Sequence, residues 1–143
     1  GTGVYKAEIL DKDHYDQIVA QSVQLSNGGN SSKLELVYLP GGTIKKGDTF
    51  TIINNNGSAP VQGTFNGLPE GAEFAVDGAT FKISYVGGDG NDVVLTAQND
   101  STGPKAPNTG GENVAVNLAG TIVGVASAAI LLFMAKRKSF GKK

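Results

Sequence analysis

Three stretches of the chain group side chains that could do chemistry. Around His14 and Tyr15 stand Asp11, Asp13 and Asp16, an acid–base set on paper, though a run this polar reads first as a solvated loop. Gly87-Gly88-Asp89-Gly90-Asn91-Asp92-Val93-Val94-Leu95 fits GGxGxDxUx, the nonapeptide that binds calcium in parallel β-rolls. Asp89, Asn91 and Asp92 supply hard oxygen donors, but calcium takes about six to eight oxygens and this chain holds one copy of the turn. We therefore expect a tight Gly/Asp turn, with calcium as the alternative and no other metal or cofactor. The third stretch, Ala106-Pro107-Asn108-Thr109-Gly110, differs in kind. Pro107 fixes its own φ and extends the segment, and Gly110 has no Cβ to obstruct an approach to the Thr109 carbonyl. This is chemistry done to the chain, not by it.

Composition removes most other classes. With no Cys there is no disulfide framework, thiol nucleophile or Cys-ligated metal. One His leaves little for a His metal centre or a Ser-His-Asp triad. No phosphate loop is present, and we expect no enzyme. The formal net charge of −1 hides a division. All 13 acidic residues lie at or before Glu112, against 7 Lys in the same stretch, a net −6. Lys136, Arg137, Lys138, Lys142 and Lys143 put +5 in the tail. An acidic body is no basic-patch nucleic-acid binder. Lys45-Lys46 makes no patch, and Asn30-Ser31-Ser32 is a formal glycosylation sequon that we discount.

The elements that would position the third stretch are plain. Val114–Ala135 is an uncharged run of 22 residues with Asn117, Thr121 and Ser127 as its polar members. As a helix it would be about 33 Å long, matching a bilayer core of about 30 Å. Lys136, Arg137 and Lys138 follow as a stop-transfer cluster, which sets the tail in the cytoplasm and the N-terminal side outside. Gly120 and Gly124 read as the small-residue content usual in spans, with a GxxxG dimer motif as the alternative. Upstream, Tyr5–Ile9, Gln17–Leu25, Leu34–Tyr38, Thr49–Ile53, Val61–Phe65, Phe74–Val76, Thr80–Val86 and Val93–Ala97 read as strands, separated by Gly, Asn and Pro. Asp77-Gly78 has the form of a two-residue type I′ hairpin. A helical turn within Asp11–Ala20 remains open. Phe50, Ile52, Phe65, Phe74, Phe81, Ile83, Tyr85 and Leu95 should contribute to the core. We expect an all-β body over 1–97, a linker over 98–113, a transmembrane helix over 114–135 and a basic cytoplasmic tail over 136–143. Such a chain must be exported, so we expect it to be the C-terminal part of something longer, with its first strand an unsatisfied edge.

Two resemblances sharpen this. Lys46–Asn55, Gly63–Ala72 and Ile83–Thr96, with Tyr15-Asp16-Gln17-Ile18 ahead of them, resemble the terminal region of autotransporter-associated β-repeat proteins. That resemblance implies the closing end of a parallel β-helix on a long, secreted, adhesin-like chain, with a terminal antiparallel hairpin; a small sandwich is the alternative. The order of Pro107-Asn108-Thr109-Gly110, an apolar span and a basic tail resembles the LPxTG sorting signal of Gram-positive surface proteins, with Ala106 in place of Leu. It implies a sortase as transient partner, cleavage between Thr109 and Gly110, and attachment of Thr109 to cell-wall peptidoglycan. The expected location is the cell surface, reached through a single-pass membrane precursor. The competing expectations are a permanently membrane-anchored accessory region of a surface enzyme and a carbohydrate- or calcium-dependent binding module.

Overall fold

The computed structural model describes residues 3–107. They form an all-β body in which no sheet closes on itself. Among the described residues there is no helix long and apolar enough to cross a membrane, and the span expected at 114–135 lies outside them. In chain order the strands are β1 (Val4–Asp11), β2 (His14–Tyr15), β3 (Ile18–Ala20), β4 (Ser26–Asn27), β5 (Asn30–Ser31), β6 (Lys33–Tyr38), β7 (Thr43–Ile44), β8 (Thr49–Asn55), β9 (Glu73–Val76), β10 (Ala79–Gly87), β11 (Asp92–Ala97) and β12 (Ser101–Thr102).

Alternation explains the long strands. In β10, Ala79, Phe81, Ile83 and Tyr85 face inward and are buried, while Lys82 and Val86 face out. In β11, Val93, Leu95 and Ala97 do the same. β8 buries Phe50 and Ile52 and then Ile53, and this break in period falls at the register shift opposite Val93 and Val94. The hairpin between β9 and β10 turns on Asp77 (φ 47°) and Gly78 (φ 84°), both positive as a type I′ turn requires.

The pairing shows how the chain is wound. β1 lies parallel to β6, with Val4 opposite Lys33. β3 lies parallel to β8, with Ile18 opposite Ile53. Gln24 forms a parallel bridge with Gln62. At three consecutive places the chain thus returns beside itself in the same direction, after 29, 35 and 38 residues. After this second pass the direction alternates. β9, β10 and β11 form an antiparallel meander, and β11 adds to the free side of β8.

Aromatic rings link the passes through the interior. Tyr5, Phe65 and Tyr85 form one file, with centroids 6.4 and 6.3 Å apart. Tyr15, Phe50, Phe81 and Phe74 form another at 5.3, 5.9 and 5.9 Å. Such pairs add about 0.5–1.5 kcal/mol each beyond their buried area. Of the expected core residues, all but Phe74 are buried, and Phe74 packs half-buried against the cluster.

Several local expectations are corrected. Asp11–Ala20 contains no helical turn: Asp13 N–H donates to Asp11 Oδ1, the chain reverses, and β2 pairs antiparallel with β1. Val61–Phe65 is not a strand, because Gly63 at φ 79° breaks the extension and fits closely against Ser26. Gln17–Leu25 contributes only β3 and the Gln24 bridge. The stretch from residue 98, expected to be linker, continues the body as far as Pro104, since β12 pairs antiparallel with β7. β1 is also less open than expected. Glu8 N–H donates to Asp16 Oδ2 at 3.0 Å, and Asp16 N–H donates to Glu8 O at 2.9 Å, so Asp16 occupies the outer side of β1 where an added strand would pair.

Tyr5 carries a pH-dependent share of the stability. Its hydroxyl donates to Ile52 O at 2.9 Å. Burial first, and the Asp16 carboxylate second, push its pKa up to about 12. The folded state favours the neutral phenol, so this contribution is complete below the ordinary tyrosine value of about 10 and is lost as pH rises through the folded value. The urea midpoint should fall between about pH 10 and 12, and less steeply in Tyr5→Phe. Equal slopes for the two proteins would show that Tyr5 is not the group responsible.

Candidate functional site

The segment expected to meet a processing enzyme begins where the body ends. Ser101 O accepts from the Tyr38 hydroxyl at 2.9 Å, and Gly103 N–H donates to Gly42 O at 2.8 Å. A Cβ on Gly103 would stand 2.3 Å from Leu39 O, so only glycine lets the chain pass this close. Asp100 secures the exit from the other side. Its Oδ1 accepts from Lys46 N–H at 2.8 Å and its Oδ2 lies 3.5 Å from Lys45 Nζ. The backbone N–H of Lys46, then the Lys45 charge, hold the Asp100 carboxyl below the usual carboxylate range. Lys105, Ala106 and Pro107 follow, all exposed and outside any strand. Asn108, Thr109 and Gly110, and the stop-transfer residues Lys136, Arg137 and Lys138, lie outside the described residues.

The Gly87–Asp92 turn has a structural occupation. Asp92 is 8 % exposed, and its Oδ1 accepts from Asn55 N–H at 2.8 Å. Gly88, at φ 58°, passes so close to that carboxylate that a Cβ would lie 1.9 Å from Oδ2. Asn91 Nδ2 donates to Gly57 O at 2.6 Å and, more weakly, to Ala59 O at 3.3 Å. Asn55 also donates to Ala59 O, at 2.8 Å, and accepts from Gly57 N–H at 3.1 Å. Asp92 and Asn91 therefore tie the turn to β8 and the 56–60 loop, while Asp89 alone stays exposed. No group of three or more His, Asp or Glu placed to hold a metal occurs among the described residues. Millimolar calcium should leave the melting temperature unchanged to within about a degree. A ligand bound only by the folded state stabilises it by RT ln(1 + [L]/Kd), so a rise of several degrees that is absent in Asp89→Ala would establish a calcium site.

His14 is also accounted for. Its Nδ1 lies 2.8 Å from Asp11 Oδ1, and Lys12 reaches Asp13 at 2.8 Å on the exposed turn. Sequence reasoning passed over two polar residues that organise the body, Asn55 and Glu70, and named Tyr85 only as a core residue without the bonds its hydroxyl makes. Asn55 is 1 % exposed and fully engaged by its amide. Tyr85 accepts from Phe65 N–H at 3.0 Å through its hydroxyl and donates to Leu68 O at 2.6 Å. Glu70 Oε2 accepts from Tyr85 N–H at 2.6 Å. The signal for the last two was the Asn66–Gly71 turn cluster, which leaves backbone groups that side chains must satisfy.

Comparison of the chain with protein-family models, with curated proteins and with solved structures gave no match in any of the three.

Proposed function

We propose that the chain is the wall-anchoring end of a secreted bacterial surface protein and is a sortase substrate. The observation that carries this is the order of Pro107-Asn108-Thr109-Gly110, a 22-residue uncharged run and a tail of five positive charges. Support comes from the preceding segment: the body finishes at Pro104, and Lys105–Pro107 stand exposed just ahead of the bond to be cut. In this reading the body is the end of a parallel β-solenoid, supported by the three successive parallel returns and by the antiparallel meander that follows them.

The reaction is a transpeptidation. A sortase Cys thiolate attacks the Thr109 carbonyl carbon, the Thr109–Gly110 bond breaks, and the Gly110 amine leaves with a proton. The resulting thioester is attacked by an amine of a wall precursor, which forms an amide to Thr109 and returns the thiolate. Residues 110–143 stay behind in the membrane. The span and its basic flank hold the substrate beside the enzyme until both steps are done.

Replacing Pro107, Thr109 and Gly110 together by Ala should leave the protein at full length and extractable by boiling detergent. The unaltered protein should come away only after a wall hydrolase. Equal detergent extraction of both at full length would identify the span as a permanent anchor, the arrangement expected of a membrane-held accessory region. Ala106→Leu should sustain or raise processing by a sortase that prefers Leu.

A further inference from the structure

The chain has three Asn-Gly pairs, at 27–28, 56–57 and 66–67. Such a pair carries its own chemistry. The backbone nitrogen that follows an asparagine can attack the side-chain carbonyl carbon and close a five-membered imide. Glycine favours this most, because it sets no Cβ beside the attacking nitrogen and leaves the backbone free to rotate. Which pair reacts is then decided by how firmly the fold holds each one.

Two of the three are clamped. Asn56 N–H donates to Ala20 O at 2.7 Å, and Gly57 N–H, the attacking group, donates to Asn55 Oδ1 at 3.1 Å. Asn66 N–H donates to Ser32 O at 2.8 Å. On either side of that pair the Tyr85 hydroxyl holds Phe65 N–H at 3.0 Å and Leu68 O at 2.6 Å. Asn27-Gly28 stands instead at the tip of the β4–β5 hairpin, which consists of the pairs Ser26–Ser31 and Asn27–Asn30. Asn27, Gly28, Gly29 and Asn30 are all exposed, and a Cβ added at Gly28 or Gly29 would meet nothing within 4 Å. A two-stranded ribbon this short opens readily, which brings Asn27 Cγ within reach of the Gly28 nitrogen.

We propose that Asn27 is a self-modification site, where the chain converts its own asparagine through a cyclic imide to aspartate and isoaspartate, with water as the co-reactant. The bond between Gly28 N and Asn27 Cγ forms, the Cγ–Nδ2 bond breaks, and Nδ2 leaves as ammonia with the Gly28 amide proton. Water then adds to one imide carbonyl and breaks its bond to the Gly28 nitrogen, which takes back a proton from that water. Opening at Cγ leaves aspartate. Opening at the backbone carbonyl leaves isoaspartate, with the main chain routed through the side chain. Either product adds one negative charge, and isoaspartate also lengthens the backbone path by one carbon, which takes residue 27 out of its pairing with Asn30.

The test is to incubate the full 143-residue chain at mildly alkaline pH, folded and in concentrated urea, and to follow each Asn-Gly pair by peptide mass spectrometry. In the folded protein Asn27 should convert about 10-fold or more faster than Asn56 and Asn66, and in urea the three rates should converge. Isoaspartate should appear at position 27 beside aspartate. Gly28→Ala should slow the conversion about 10-fold by putting a Cβ beside the nucleophile. Conversion of Asn56 or Asn66 as fast as Asn27 in the folded protein would overturn the proposal. So would an Asn27 that stays intact when folded but reacts in urea. Aspartate without isoaspartate, or an unchanged rate in Gly28→Ala, would mean direct hydrolysis of the side chain and would overturn it as well.

Discussion

Phe81→Ala should destabilise the body by about 3–5 kcal/mol, the range for removing a fully buried aromatic ring. Phe81 has no exposed surface and sits edge-on to Phe50 at 5.9 Å and tilted against Phe74 at the same distance. Its strand, β10, is held by β9 on one side and β11 on the other, so the surroundings cannot easily collapse into the space. A domain of this size is stabilised by about 5–15 kcal/mol in all, so the variant should be largely unfolded at modest denaturant. Urea unfolding followed by tyrosine fluorescence gives the value. A loss below about 1 kcal/mol would mean that the β10 face is not the centre of the core.

Gly57→Ala should cost about 3 kcal/mol by the opposite mechanism. A Cβ at this position would stand 1.9 Å from Gln21 O and 2.8 Å from the carbonyl carbon. Those atoms are backbone, so no side-chain rotation relieves the clash. Gly57 O also accepts from Asn91 Nδ2, and any shift of residue 57 loosens the Gly87–Asp92 turn. Gly28→Ala is the control, since its Cβ would meet nothing within 4 Å and only its positive φ is strained. A loss in Gly57→Ala no greater than that in Gly28→Ala would show that the close approach to Gln21 is not what requires glycine at position 57.

How much of this was readable beforehand depended on the range of the interaction. Alternation in Thr80–Val86 and Val93–Ala97 reports one-sided burial, which is local, and both strands occur. The Asp77-Gly78 turn is equally local. The Val61–Phe65 expectation failed because the apolar pattern does not reveal that Gly63 takes φ 79° against Ser26. The parallel returns join residues 29 to 38 positions apart and leave no periodic mark within one copy of each strand. Asp16 looked like part of an acidic loop, and its engagement with both polar groups of Glu8 follows only from the chain reversal at Lys12-Asp13. The proposed sorting motif is of another kind: it is argued from the residue types and their order alone, and Asn108, Thr109 and Gly110 lie outside the described residues.

β12 also has a mechanical consequence. The ribbon is two residues long and meets β7 only at Ser101–Ile44 and Thr102–Thr43. A chain covalently tethered at Thr109 and pulled from its other end would feed tension into the body through this ribbon. Two residue pairs, the Tyr38 hydroxyl, the Gly103–Gly42 bond and the Asp100 contacts with Lys46 and Lys45 would bear the load before any strand of the five-stranded sheet does. Peeling Asp100–Pro104 would release about 16 Å of chain at about 3.3 Å per residue. The core sheet, with Phe50, Phe81 and Leu95 still enclosed, would stay folded while that slack ran out. The end of the body would then act as a short shock absorber, yielding under a transient tug and re-forming its few bonds when the force drops.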